Sequence, residues 1–131
     1  MTPMDGPAFL TWETVEALHQ ESLARFGGLD GMRDRGGLES ALAAAENTFF
    51  YGGGDQHEIA AAYAFHLAES QGFLDGNKRT AMACAATFLL ANGCADRADD
   101  LVLYDAMIAI ADRRLDKTGL AVVLPRQFPK I

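Results

Sequence analysis

The eleven residues from Ala81 to Ala91 carry one polar side chain, Thr87, and no charge. A segment this apolar on every side reads as a helix enclosed by protein at the centre of its domain. Asp75-Gly76-Asn77 precedes it as a turn, with Asn77 read as the cap, and Asn92-Gly93 follows as a C-cap signal. The spacing predicts a helix over Asn77–Asn92, and the rest of the chain has to pack around it. Its first turn holds Lys78 and Arg79. That end has unpaired backbone N–H groups and the positive end of the helix dipole, which favours anions over cations. Two readings follow. The stretch is an anion cradle of the phosphate-binding kind, or it is an ordinary turn with two solvated bases.

The flanking segments read as further helices. The first is expected over Trp12–Phe26, capped by Thr11 and stopped by Gly27-Gly28, with Val15, Leu18, Ser22, Leu23 and Phe26 at helical spacing. The second runs over Leu38–Asn47, the third over His57–Ser70 with Ile59, Tyr63, His66 and Leu67 on one stripe. A fifth is expected over Leu101–Leu115. A short sixth is capped by Asp116 and ends at Pro125, with a strand over Leu120–Leu124 as the alternative. His19 and His66 fall inside helices and read as packing or surface residues. Arg33, Asp34 and Arg35 either clamp an anionic ligand or pair locally to shape their loop. Thr48 to Asp55 runs from aromatic residues into three glycines, which reads as a mobile flap or hairpin, or as a loop whose aromatics plug the core.

The chain has 131 residues, enough for one core, so a single domain over 1–131 is expected, with a loose arm at 1–8 and a frayed tail at 125–131. Eleven basic against 18 acidic residues leave a net charge of −7. That balance argues against a nucleic-acid surface, which needs a basic face. Cys84 and Cys94 are too few for a disulfide framework or a zinc site, and Cys84 reads as a buried thiol. No basic segment followed by a long apolar core opens the chain. The longest apolar run is short of the ~20 residues that span a bilayer. A cytoplasmic, membrane-free protein is expected.

Phe73-Leu74-Asp75-Gly76-Asn77-Lys78-Arg79-Thr80-Ala81 resembles the signature of the Fic/Doc superfamily. The lysine after the asparagine resembles its death-on-curing (Doc) branch, where most Fic proteins have glycine. Phe9-Leu10-Thr11, the helix through His19, Phe26-Gly27-Gly28 and the stretch Gly31–Leu42 extend the likeness over about residues 9 to 95. The resemblance implies an all-α bundle with at most a small β-hairpin at the flap. It implies ATP and Mg²⁺ as cofactors. Asp75 would hold the metal, Gly76, Asn77, Lys78 and Arg79 the phosphates, and Phe50, Tyr51, Gly52 and Gly53 the target as an added strand.

The Doc-like pattern transfers the terminal phosphate to a protein hydroxyl, a threonine of the elongation factor that delivers aminoacyl-tRNA. The general Fic pattern transfers AMP instead. The family's motif opens with histidine as general base, and Gln71-Gly72-Phe73 stands at those places. An amide accepts no proton at neutral pH, so impaired transfer is expected, with a nucleotide- or antitoxin-binding pseudo-enzyme as the alternative. The family's restraining helix, Ser/Thr-x-x-x-Glu-Gly/Asn, has no counterpart in this sequence. The resemblance therefore implies a separate antitoxin acting in trans.

Overall fold

The computed structural model describes residues 6–131. Six helices follow one another: α1 (Trp12–Phe26), α2 (Arg35–Phe50), α3 (Gln56–Ser70), α4 (Asn77–Ala91), α5 (Asp100–Ala111) and α6 (Lys117–Gln127). Among the described residues there is no sheet, only isolated antiparallel bridges at Met32–Phe73 and Cys94–Lys130. The all-α expectation holds, and Leu120–Leu124 lies inside α6, not in a strand.

Helix α4 is central, as its apolar surface requires, but it shares that place with α3. Helix α3 packs against α2, α4, α5 and α6, while α4 packs against α1, α3 and α5. Ala60, Ala61, Ala62 and Ala64 of α3 are fully buried, so the helix backbones approach closely at small side chains. Tyr63 of α3 is also fully buried and stacks near Phe88 of α4 at 5.4 Å between centroids. Its hydroxyl accepts a hydrogen bond from Leu10 N at 3.1 Å. Burial pushes its pKa up to about 12, so it stays neutral. Burial does the same for the Cys84 thiol, also to about 12, and both cysteines are free and buried.

Several boundaries move for local reasons. Helix α2 begins at Arg35, before Leu38, because Asp34 caps it by accepting from Gly37 N at 2.9 Å. It also runs on past Asn47 to Phe50, since Phe49 and Phe50 pack against Phe9. Of the readings open for Thr48 to Asp55, the hairpin is not formed, and Phe49 packs against the core. Gly52, Gly53 and Gly54 turn their N–H groups back onto the carbonyls of Asn47, Phe49 and Thr48, closing the end of α2. Helix α5 stops at Ala111 and not Leu115, where Arg113 turns left-handed (φ 62°) and Arg114 N reaches back to Ala109 O. Pro125 falls in the last turn of α6 without ending it; the helix runs to Gln127.

The described segments before α1 and after α6 are both tied down further than expected. Residues 1–5 of the expected loose arm lie outside the described residues. Ala8, however, exchanges two hydrogen bonds with the Asn92 side chain at 2.7 and 3.1 Å. The tail is not frayed. Phe128 is buried, its carbonyl lies 2.7 Å from His57 Nε2, and Pro129 and Ile131 pair with Ala95 and Gly93. No helix among the described residues is long and apolar enough to cross a membrane.

One contact makes the α3–α6 packing sensitive to acid. Lys117 Nζ of α6 lies 3.2 Å from His66 Nε2 of α3, so the ammonium donates to a neutral imidazole. Burial, and then the Lys117 charge, hold the His66 pKa below its usual value, with Glu69 opposing. The unfolded chain, titrating near 6.5, then binds the extra proton first as pH falls, and stability drops with it. Thermal melts should therefore show a larger loss of Tm between pH 7.5 and 5.5 in the unaltered protein than in His66→Gln. Equal losses would show that the contact does not govern the acid response.

Candidate functional site: the α3–α4 loop and the start of α4

The loop Gln71–Gly76 connects α3 to α4. Gln71 ends α3 in the left-handed conformation (φ 46°, ψ 40°), and its side chain is exposed. Gly76 precedes α4, also left-handed at φ 79°, a conformation glycine adopts without steric cost. Asn77 does not cap the helix, contrary to the sequence expectation. It is the first helical residue, and its amide turns back to clasp Phe73, accepting from Phe73 N at 3.0 Å and donating to Phe73 O at 2.9 Å. The loop is closed by its own last residue, and α4 is left with no side-chain cap. The first bond within its ladder is donated by Thr80 N to Gly76 O at 2.9 Å. The N–H groups of Asn77, Lys78 and Arg79 thus have no helical acceptor.

A second loop is stitched along the first. Arg33 N and Asp34 N both donate to Gly72 O, at 2.6 and 3.0 Å, and Leu74 N donates to Gly31 O at 3.0 Å. Asp75 Oδ2 accepts from Leu29 N at 2.8 Å. Asp75 therefore does more than begin the turn: one carboxylate oxygen holds the 28–31 segment, while the side chain remains exposed. Gly28, at φ 120°, permits this approach, since a Cβ there would sit 3.0 Å from Asp75 Cβ. His19 of α1 completes the arrangement. It is buried, stacks on Phe73 at 3.7 Å and 10°, and places Nε2 2.8 Å from Asp75 O. The sequence reading took His19 for a packing or surface residue and missed its bond to the loop. The spacing Val15–His19–Ser22 marks it as inward-facing, because these three are the buried residues of α1.

The two cations are exposed and, among the described residues, neither forms an ion pair. A cation in the first turn costs roughly 0.3–1 kcal/mol against the dipole. Arg79 recovers most of that, because its guanidinium lies 4.4 Å above the Phe26 ring, a contact worth about 0.5–1 kcal/mol when exposed. Phe26 is accordingly a 56% exposed platform and not the core residue that its spacing predicts. Lys78 has no such offset. Beside Arg79 lies a shallow cleft of about 80 Å³ lined in part by Ser22, Arg25 and Phe26.

The site therefore brings Asp75, Gly76, Asn77, Lys78 and Arg79 together at one helix start, with Gln71 at the opposite end of the loop. Phe50 and Tyr51 are exposed at the end of α2. The 33–35 cluster is divided: Asp34 caps α2, Arg35 stacks over Trp12 at 4.7 Å and faces Glu39 at 3.8 Å, and Arg33 forms no ion pair among the described residues. No group of three or more metal-ligating side chains occurs among the described residues. Mg²⁺ does not require one, since it is held by one or two carboxylates together with phosphates and water.

Gly72 is the tightest point between the two loops. A Cβ there would collide with the Leu38 side chain and lie 2.8 Å from Asp34 O. Gly72→Ala should destabilise the fold by about 1–3 kcal/mol, the usual cost of overpacking. Urea unfolding measures this, and a change within error would show that the loops yield without cost.

Comparison with known proteins shows the family. The model of the Fic/DOC family matches residues 9–89, from just before α1 to within α4. The chain is 32% identical over 117 residues to "Protein kinase doc" of Escherichia phage P1, spanning 88% of this chain and 92% of that protein. It is 38% identical over 110 residues to "Toxin Doc" of Mycolicibacterium smegmatis, spanning 76% and 79% respectively. An uncapped helix start carrying Asp-Gly-Asn-Lys-Arg, an all-helical fold and a family match over most of the chain lead to one conclusion: this protein belongs to the Fic/DOC family.

Proposed function

We propose that this chain is a Doc-type toxin that binds ATP with Mg²⁺ at the start of α4 and transfers the terminal phosphate to a protein hydroxyl, slowly because of Gln71. The observation that carries the reading is the helix start itself. Three backbone donors, two cations without carboxylate partners and an exposed Asp75 converge where a helix dipole already favours an anion. The residues present fit a metal-bound triphosphate. Asn77, Lys78 and Arg79 N–H groups would donate to phosphate oxygens. Lys78 would act as a point charge and Arg79 as a bidentate fork. Asp75 keeps one carboxylate oxygen beyond the one that holds Leu29 N, and that oxygen would face the metal. Bound Mg²⁺–ATP would supply the phosphoryl group and neutralise charge on it. The cleft beside Arg79 is far below the ~300–1,000 Å³ of an ordinary ligand pocket, so the phosphates, not the base, would carry most of the affinity.

In the transfer, the target oxygen would bond to phosphorus as the bond to the leaving oxygen of ADP breaks, and the hydroxyl proton would pass to solvent water. Gln71 cannot take that proton. Positioning and charge stabilisation remain, and they dominate phosphoryl transfer. By family resemblance the target is a threonine of a translation elongation factor, held near Phe50, Tyr51, Gly52 and Gly53, and an antitoxin in trans restrains the activity. The phage relative's printed name, a protein kinase, supports phosphate transfer over AMP transfer. Gln71 favours one further reading, a pseudo-enzyme that binds nucleotide or antitoxin without turnover.

Mg²⁺–ATP should raise Tm, and Arg79→Ala should diminish that shift more than Lys130→Ala, a substitution away from the site. Equal shifts in both would remove the helix start from the reading.

Gln71→His should increase transfer by about 10²- to 10⁴-fold, the usual range of general-base help. Histidine is among the side chains tolerated in the left-handed region that Gln71 occupies. The rate should rise with pH through about 6.5, as imidazole becomes neutral. Asp75→Ala in that background should abolish the gain. Label from the γ-phosphate, not the α-phosphate, should remain on the target. A histidine variant that folds and binds ATP, yet neither labels a lysate protein nor slows growth, would leave the pseudo-enzyme reading standing.

A further inference from the structure

We infer that His19 is a positioning residue for the nucleotide site: it locks the Asp75–Gly76 peptide in the orientation that presents Asp75 and the start of α4 to a ligand. The inference rests on the nucleotide-binding reading for the ligand but on its own contacts for the lock. His19 contacts Phe73 and Asp75 of the motif loop and borders the space beside Gly76. Its ring covers Phe73 at 3.7 Å, its Nε2 lies 2.8 Å from Asp75 O, and a Cβ built on Gly76 would meet the ring at 3.7 Å. A carbonyl only accepts, so Nε2 carries the proton and donates.

The bond matters because of where it falls. The Asp75 carbonyl and the Gly76 N–H belong to one planar peptide. Gly76 stands at φ 79° and, lacking a Cβ, tolerates many other backbone angles. A flip of the peptide before it is the inexpensive rearrangement open to this loop. It would carry the Asp75 carbonyl off His19 and alter the backbone from which the Asp75 carboxylate projects. The Asn77 clasp fixes Phe73 and Asn77 but bonds to neither Asp75 nor Gly76. His19, reaching in from α1, supplies the constraint that the loop lacks. The lock also extends to the second loop, because Asp75 Oδ2 holds Leu29 N.

The experiment separates donor from ring. His19→Phe keeps a flat ring against Phe73 and removes the donor; His19→Gln keeps a donor of similar reach and removes the ring. Amide exchange and Mg²⁺–ATP titration are measured on both and on the unaltered chain. In His19→Phe, Leu29 and Leu74 amides should exchange about tenfold faster, the size of one hydrogen bond, while α3 amides such as Ala61 keep their rates. Mg²⁺–ATP affinity should fall by about the same factor, with ATP in the absence of metal little affected. His19→Gln should restore most of both.

In the unaltered protein, ¹⁵N spectra of the His19 ring should show the Nε2–H tautomer, a readout that needs no variant. The Nδ1–H tautomer, or unchanged exchange at Leu29 and Leu74 in a folded His19→Phe, overturns the positioning role. Equal acceleration throughout α3 also overturns it, since His19 would then act only on global stability. If the unaltered chain binds no Mg²⁺–ATP while the exchange results hold, the nucleotide reading fails and the loop lock stands.

Discussion

The clasp between Asn77 and Phe73 is the contact on which the site depends. One amide side chain satisfies both backbone groups of Phe73 and closes the loop between the two central helices. Asn77 is the first helical residue and its amide is spent on this clasp, while Gly76 at the cap position has no side chain, so the first N–H groups of that helix stay open. A helix start with open N–H groups is thus the by-product of a loop closure. Phe73 is buried at the same point, so the loop is anchored by apolar burial as well as by two hydrogen bonds.

Around the clasp, segments remote in sequence share the work of holding the loop. Helix α1 contributes the His19 ring, and the 28–34 segment contributes backbone donors and acceptors to Gly72, Leu74 and Asp75. Both α3 and α4 are packed through fully buried alanines, which leaves little slack between them. The loop therefore sits on rigid helices and is bonded on both sides. Such support keeps catalytic or binding groups near one geometry.

Electrostatics accounts for the two basic residues. A chain of net charge −7 places Lys78 and Arg79 at a helix end that repels them. Folding relieves Arg79 by stacking on Phe26 and leaves Lys78 in solvent. An anion at the same point would remove the remaining mismatch. This is a physical reason, independent of any relative, to read the helix start as a ligand site.

The sequence by itself determined the helices, the central place of α4 and the composition of the motif loop. These follow from local periodicity, turn residues and a segment apolar on all faces, which are properties of neighbours along the chain. Tertiary structure alone decided what the polar groups do. Asn77 looks like a cap in sequence and becomes a clasp because Phe73 is folded back against it. Asp75 looks like a turn residue or a metal ligand, and only the approach of Leu29, 46 positions away, shows that one oxygen is already engaged. Gly52–Gly54 allowed a hairpin, but closing α2 satisfied their N–H groups first. The tail seemed free until Phe128 found the buried edge beside His57. In each case the sequence showed a donor, an acceptor or an apolar surface, and its partner came from a distant segment that only folding brings near.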